Sequence, residues 1–280
     1  MSHVATTPTL GAGLGYRAEL HSDVLANTRQ IDWLEIISEQ YMNAAVDERE
    51  HLLALRREFR LVPHGVNLSL GTPGEPDWGY VEALAELIEI IDAPWCSDHL
   101  CFTRTESVDL ATLTPLPRSR ALARELGSKA QRIQERLGIP FIWENIAYHV
   151  EFDSDLTEAQ FISEFLESCD CGLLLDLTNL FINSVNHDFD PLGFLETIPL
   201  ERVVQVHVAG GVRQPAVFYD THSRPVHEEV WNLLERVASE TELKGVLLER
   251  DQDFPDDFSE ILRDVGRARH IMERAQAAGA

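Results

Sequence analysis

From residue 10 to residue 277 the chain alternates between short apolar runs and longer amphipathic stretches. The runs at 10–16 (LGAGLGY), 31–37 (IDWLEII), 60–66 (RLVPHGV), 94–103 (PWCSDHLCFT), 140–148 (PFIWENIAY), 171–181 (CGLLLDLTNLF), 203–208 (VVQVHV) and 245–251 (GVLLERD) have the length and content of buried strands. Between them, apolar residues recur at helical spacing. In 77–92, for example, Val81, Leu84, Leu87, Ile88 and Ile91 share one face. Helices are expected at about 18–29, 47–59, 77–92, 118–137, 157–168, 191–197, 225–240 and 256–277, with Gly138 and Pro140 stopping the fourth. Strands that alternate with helices form a parallel sheet. Eight such units with no linker between them predict an α/β fold, a single (β/α)8 TIM barrel over residues 10–280, with 1–9 as a disordered tail. A doubly wound open sheet is the alternative.

Polar residues interrupt the strands in a regular way. Neighbouring strand positions face opposite sides. Val204, Val206 and Val208 should therefore point one way, and Gln205 and His207 the other. The same alternation puts Trp33 and Glu35 on one face, then Val62 with His64, Ser97 with His99, Ile142 with Glu144, Leu174 with Asp176, and Leu247 with Glu249. Gly210 and Gly211 end the seventh strand, and an Asp-x-His pair, Asp220 and His222, follows in its loop. Asn179 and His187 are expected in the loop after the sixth strand.

In a barrel the carboxyl ends of the strands ring one cavity, so these residues converge there. Unpaired ionisable groups are costly to bury, and a set this dense needs cations to balance it. Four imidazoles (His64, His99, His207, His222) and four carboxylates (Glu144, Asp176, Asp220, Glu249), with no thiolate, suit iron, manganese or zinc better than magnesium or copper(I). They exceed what one ion takes, so about two or three ions are expected, with Glu144 placed to bridge two.

Composition narrows the setting. The 280 residues carry a formal net charge of −24, which repels phosphate backbones and disfavours nucleic acid as a partner. Cys96, Cys101, Cys169 and Cys171 follow neither a disulfide framework nor a zinc-site spacing. With no signal-peptide pattern and no membrane-spanning run, the expected compartment is the reducing cytoplasm, with no membrane partner. The LGAGLGY run lacks the glycine spacing and acidic partner of a dinucleotide loop.

The segments GLGYR, WLEIISEQYM, HGVNLSLG, SDHLCF, ENIAYH, LLLDLTNLFINSVNH, VHVAGG, DTHSRPV and LLERD together resemble the multinuclear non-heme iron-dependent oxidative enzymes, long catalogued as the domain of unknown function 692 family. The resemblance implies a xylose-isomerase-like barrel holding two or three irons of mixed Fe(II)/Fe(III) state. It implies one ion on His64, His99 and Glu144. A second would sit on bridging Glu144, Asp176, His207 and Glu249. A third, more labile ion would use Asp220 and His222, with Asn179 nearby. The ions held by Glu144, Asp176 and His207 would carry the catalysis, and no side chain would act as nucleophile. The implied reaction uses O2 to oxidise a residue, most often cysteine, in a ribosomally synthesised precursor peptide. Outcomes in the family include oxazolone–thioamide formation and excision of a carbon. A separate partner polypeptide that recognises the leader peptide is also implied.

Three other functions compete. A divalent-metal sugar isomerase or epimerase would use one or two ions and a Lys or Glu base, but Lys129 and Lys244 fall at no expected strand end. A zinc nuclease conflicts with the acidic charge. A non-catalytic metal-binding scaffold does not call for ligands on six consecutive strands.

Overall fold

The computed structural model describes residues 7–105 and 107–279. Residues 1–6 of the expected tail lie outside them, while Thr7 is buried. Among the described residues twelve strands are formed: β1 (Gly11–Gly15), β2 (Trp33–Ile37), β3 (Arg60–His64), β4 (Cys96–His99), β5 (Phe102–Arg104), β6 (Asp109–Thr114), β7 (Phe141–Glu144), β8 (Gly172–Asp176), β9 (Val203–Val208), β10 (Val212–Arg213), β11 (Phe218–Tyr219) and β12 (Gly245–Leu248). The helices are α1 (His21–Ala26), α2 (Ser38–Tyr41), α3 (Val46–Glu58), α4 (Trp78–Ile91), α5 (Arg120–Leu137), α6 (Glu158–Glu167), α7 (Leu177–His187), α8 (Pro191–Thr197), α9 (Glu228–Glu240) and α10 (Ser259–Gly279).

Eight strands close into a parallel barrel in the order β1-β12-β9-β8-β7-β4-β3-β2. Because β1 pairs with both β2 and β12, the sheet has no edge, and the open-sheet alternative is excluded. Two antiparallel hairpins, β5–β6 and β10–β11, stand at the carboxyl ends of the strands. Among the described residues no helix is long and apolar enough to cross a membrane.

Inside the barrel, Trp33, Val62, Trp95, Ile142, Leu174, Val204 and Leu247 form a closed apolar plug at the amino-terminal end. The outward strand residues join a much larger cluster with the helices. Gly13 makes room for the plug: a Cβ there would lie 2.4 Å from the Trp33 ring. The helices start and stop on local signals. Asp77 and Ser119 accept from the amides of Tyr80 and Leu122 to cap α4 and α5. Gly138, at φ 72, ends α5 in the left-handed region that a glycine adopts freely.

Four expectations are corrected. The 94–103 run is broken: β4 ends at His99, and Phe102 starts a separate hairpin. The 171–181 run is broken as well: the Asp176 carboxylate accepts from the amide of Asn179 (2.7 Å) and turns the chain into α7. Asn179 therefore sits in the first turn of a helix and His187 is its last residue, so neither lies in a loop. The first helix shrinks to a 3-10 turn at Ala18–Leu20 followed by α1. Finally, Val204 does not share a face with Val206 and Val208. Pairing between β8 and β9 jumps from Leu173↔Val203 to Leu174↔Gln205, so β9 carries one extra residue. That bulge turns Val204 into the plug, with Gln205 and His207 facing inward above it.

Candidate metal centre

Six of the barrel's inward ligand positions lie just above the plug. His64, His99, Glu144, Asp176, His207 and Glu249 all emerge at the carboxyl end of the barrel interior and are all buried. Two groups of ligand atoms form there: His64, His99 and Glu144, and Glu144, Asp176, His207 and Glu249, the atoms of each lying within 4.8 Å of one another. Glu144 belongs to both, and its two oxygens are divided between them. Oε2 lies 3.4 Å from His64 Nε2 and 3.2 Å from His99 Nε2. Oε1 lies 3.1 Å from His207 Nδ1.

Asp220 and His222 close the arrangement from the β9–α9 connection. His222 Nε2 is 2.8 Å from Asp220 Oδ1, and its Nδ1 is 3.5 Å from Glu249 Oε2 and 3.2 Å from Asp251 Oδ2. His222 adopts φ 47, a left-handed conformation that costs a non-glycine residue energy and is held here by its surroundings. Asn179 turns its Oδ1 to the same space while its Nδ2 donates to Asn145 O. His187 stays outside the cluster. It stacks on Tyr148, and its ring nitrogens meet Tyr148 O (3.0 Å) and Glu151 (3.5 Å).

Seven of the atoms that face the centre are unsatisfied. Glu144 Oε2, Asp176 Oδ2, Asn179 Oδ1, His207 Nδ1, Asp220 Oδ1, His222 Nε2 and Glu249 Oε2 are buried and make no hydrogen bond. His222 Nε2 and Asp220 Oδ1 are within contact distance yet misaligned with each other, as are His207 Nδ1 and Glu144. Such atoms point at shared positions between them. Buried polar atoms without partners are rare in folded proteins, and a cation is the partner that imidazole nitrogens and carboxylate oxygens have in common.

Without metal, protons fill that role unevenly. Burial pulls the His207 imidazole down, but the carboxylates of Glu35, Glu249 and Glu144 outweigh it and hold it well above its ordinary value. His222 is raised in the same way by Glu249 and Asp220 against the effect of burial. Burial, and then Glu144, Asp220 and Glu249, push Asp176 well above the carboxylate range. Burial lowers His99 to about 4, so its ring is neutral and free to coordinate. Metal entering such a cluster displaces protons.

Residues around the ligands fix their orientation. His207 Nε2 lies 3.1 Å from Glu35 Oε1. The Gln205 amide donates to Glu35 Oε2 (2.6 Å), and Gln205 Oε1 accepts from Trp95 Nε1 (2.7 Å). A carboxylate behind a histidine holds the ring's other nitrogen toward a metal. His64 Nδ1 is bonded to Ser97 Oγ, and the Asn145 side chain clamps both the amide and carbonyl of Asp176. Glu35 was legible only as an acid on the same face as Trp33. The inward alternation that exposed the ligands also applies to it, but nothing in the sequence separates a supporting carboxylate from a coordinating one. The centre opens into a cavity of about 460 Å3, walled by Thr112–Thr114 of β6 and by residues 147–150.

Residues 11–273 match the family model described as RiPP precursor modification enzyme MbnB/TglH/ChrH. A UPF0276 protein of Streptomyces avermitilis is 37% identical over 98% of this chain, which spans 58% of that protein's length. UPF0276 proteins of Acaryochloris marina (33% identical, 90% of this chain and 91% of that one) and Caulobacter vibrioides (34%, 94% and 95%) match nearly end to end. Among solved structures, D-psicose 3-epimerase from Clostridium cellulolyticum superposes with a TM-score of 0.58 at 12% identity, covering 93% of this chain and 95% of that one. Endonuclease IV from Thermus thermophilus gives 0.57 at 17%, covering 95% and 100%. These likenesses establish the fold, a xylose-isomerase-like TIM barrel. By its match along almost its whole length and by its relatives, the chain belongs to the MbnB/TglH/ChrH family of RiPP precursor modification enzymes.

Proposed function

We propose that this chain is an iron-dependent oxidoreductase that uses O2 to oxidise a residue, most often cysteine in such enzymes, of a ribosomally synthesised precursor peptide. The observation that carries this reading is the convergence of buried ligand atoms, several of them unpartnered, in two groups that share Glu144, beneath an open cavity. One ion would be held by His64, His99 and Glu144. Another would be held by Glu144, Asp176, His207 and Glu249, and a third by Asp220 and His222 with Asn179. Bound iron supplies one-electron chemistry with dioxygen, which no protein side chain in the cluster offers.

The chain's own residues do the rest. Glu144 fixes the spacing of the two groups through its two oxygens. Glu35 keeps the His207 Nδ1 lone pair facing inward by accepting at Nε2. The β5–β6 hairpin and the 147–150 segment wall the cavity, which is open enough for a side chain of the peptide to enter. Glu144, Asp176 and His207 are the residues most directly tied to catalysis. The reading includes a separate partner that recognises the leader peptide. The reducing cytoplasm suits it, because Cys96, Cys101, Cys169 and Cys171 are all free thiols.

The test is to load the protein with iron without oxygen, add the cysteine-containing precursor peptide and then admit O2. The peptide should change mass with matching O2 consumption. An unchanged peptide, together with magnesium- or manganese-supported epimerisation of a ketose, contradicts the proposal.

A further inference from the structure

A second cavity, of about 750 Å3, lies behind the wall of the metal-site cavity, between the 151–160 segment and the junction of α7 with α8. Tyr148 lines both cavities, and the chain crosses from one wall to the other between Val150 and Glu151. A bound extended segment can therefore reach both.

The charges in the second wall are unbalanced. Its one arginine, Arg118, and the His187 ring are both engaged with Glu151. The Asp190 carboxylate is used to cap α8, accepting from the amides of Leu192 and Gly193. Among the described residues no cation lies within ion-pair distance of Asp153, Asp155 or Glu158, and Arg118 reaches Glu158 only through the Tyr148 hydroxyl. Burial pushes the Glu158 carboxyl up to about 7. Tyr148 O–H donates to it at 3.2 Å. Arg118 is 9% exposed and keeps its Nε–H buried without an acceptor in the same wall. Phe152 and Phe189 add apolar surface that suits a methylene stem.

We propose that this cavity is a specificity subsite for a lysine or arginine side chain of the peptide whose modified residue enters the metal-site cavity. The proposal rests on the peptide-substrate reading above. The stem lies against the aromatic wall, the cationic head meets Asp153, Asp155 and Glu158, and Arg118 Nε–H donates to a backbone carbonyl of the bound segment. The acidic wall excludes a phosphate-bearing ligand.

The test titrates fluorescein-labelled synthetic peptides into the metal-loaded protein by fluorescence anisotropy. Each peptide has one cysteine. Lysine is walked residue by residue along both sides of it, and norleucine serves as the neutral match at each position. In one register lysine should bind about tenfold more tightly than norleucine, the value of one good charged hydrogen bond. Asp153→Asn/Asp155→Asn should bring that ratio close to one. Both side chains are exposed, so the fold does not depend on them, and Glu158→Gln gives an independent second variant. A wild-type ratio near one in every register, or a ratio unchanged in the double variant, overturns the subsite. If peptides bind and are oxidised without a lysine preference, the subsite alone fails. If no cysteine peptide binds or is oxidised, the peptide reading fails with it.

Discussion

At the floor of the barrel, Val62, Ile142, Leu174 and Leu247 point inward and pack with Trp33 and Trp95. Two residues further along the same strands, the next inward positions are His64, Glu144, Asp176 and Glu249. One inward step, roughly 6.6 Å of strand, separates a dry apolar layer from a layer of unpartnered ligand atoms. Both layers are buried to a similar degree, so depth alone does not distinguish them. The floor satisfies itself: its indoles donate to Gly11 O and Gln205 Oε1, and its side chains interlock. The mouth does not, because it leaves nitrogens and oxygens facing one another without hydrogen bonds. The lower layer is closed by its own packing, whereas the upper one leaves ligand atoms that the proposed metal ions would complete.

Perturbing each layer separately should break this contrast. Asp176→Asn has the largest expected effect on function. The Asp176 carboxyl is held well above its ordinary range in the metal-free protein, so the amide closely mimics its protonated form. The metal-free melting temperature should barely move, while turnover and the stabilisation on adding metal are lost; calorimetry with and without metal checks both. Trp33→Ala should do the reverse. It opens the plug and costs about 3–5 kcal/mol in both the metal-free and metal-loaded protein, read by urea unfolding.

Glu35→Gln acts between the layers. Replacing the charged acceptor behind His207 Nε2 with a neutral amide should weaken metal binding about 10–100-fold, as measured by competition with a chelator. The smallest effect is a pH slope. The folded Glu158 carboxyl titrates near 7 against an ordinary 4.5, so its contribution to stability is fully present below 4.5 and lost as pH rises toward 7. Glu158→Gln should flatten that fall in melting temperature across the same window. An unchanged slope would place the shift elsewhere.

Much of the upper layer was legible before the structure because strand alternation is a strong rule in a parallel barrel. His64, His99, Glu144, Asp176 and Glu249 each follow an inward-facing residue by an even step. His207 was found in the same way, although the bulge at Val204 breaks the alternation one turn of the pleat below it. A bulge leaves no mark in a run such as VVQVHV, so alternation alone puts Val204 on the wrong face. Asn179 and His187 were misplaced because the leucine-rich run at 173–177 hides the point where Asp176 caps α7. The hairpins that wall the cavity are short and partly polar, with Asp109–Thr114 largely exposed, and no hydrophobic period marks them. Alternation assigns Glu35 to the face of Trp33 and Gln205 to that of His207, but their roles depend on distances to His207 that only the closed barrel sets.

The most direct test of the central claim is metal content by mass spectrometry, joined with Mössbauer spectroscopy, on protein purified without chelator. The account predicts about two to three irons per chain, some ferrous and some ferric, with Glu144→Gln losing metal from both ligand groups at once. A single manganese or magnesium, or zinc alone in fully active protein, would contradict it.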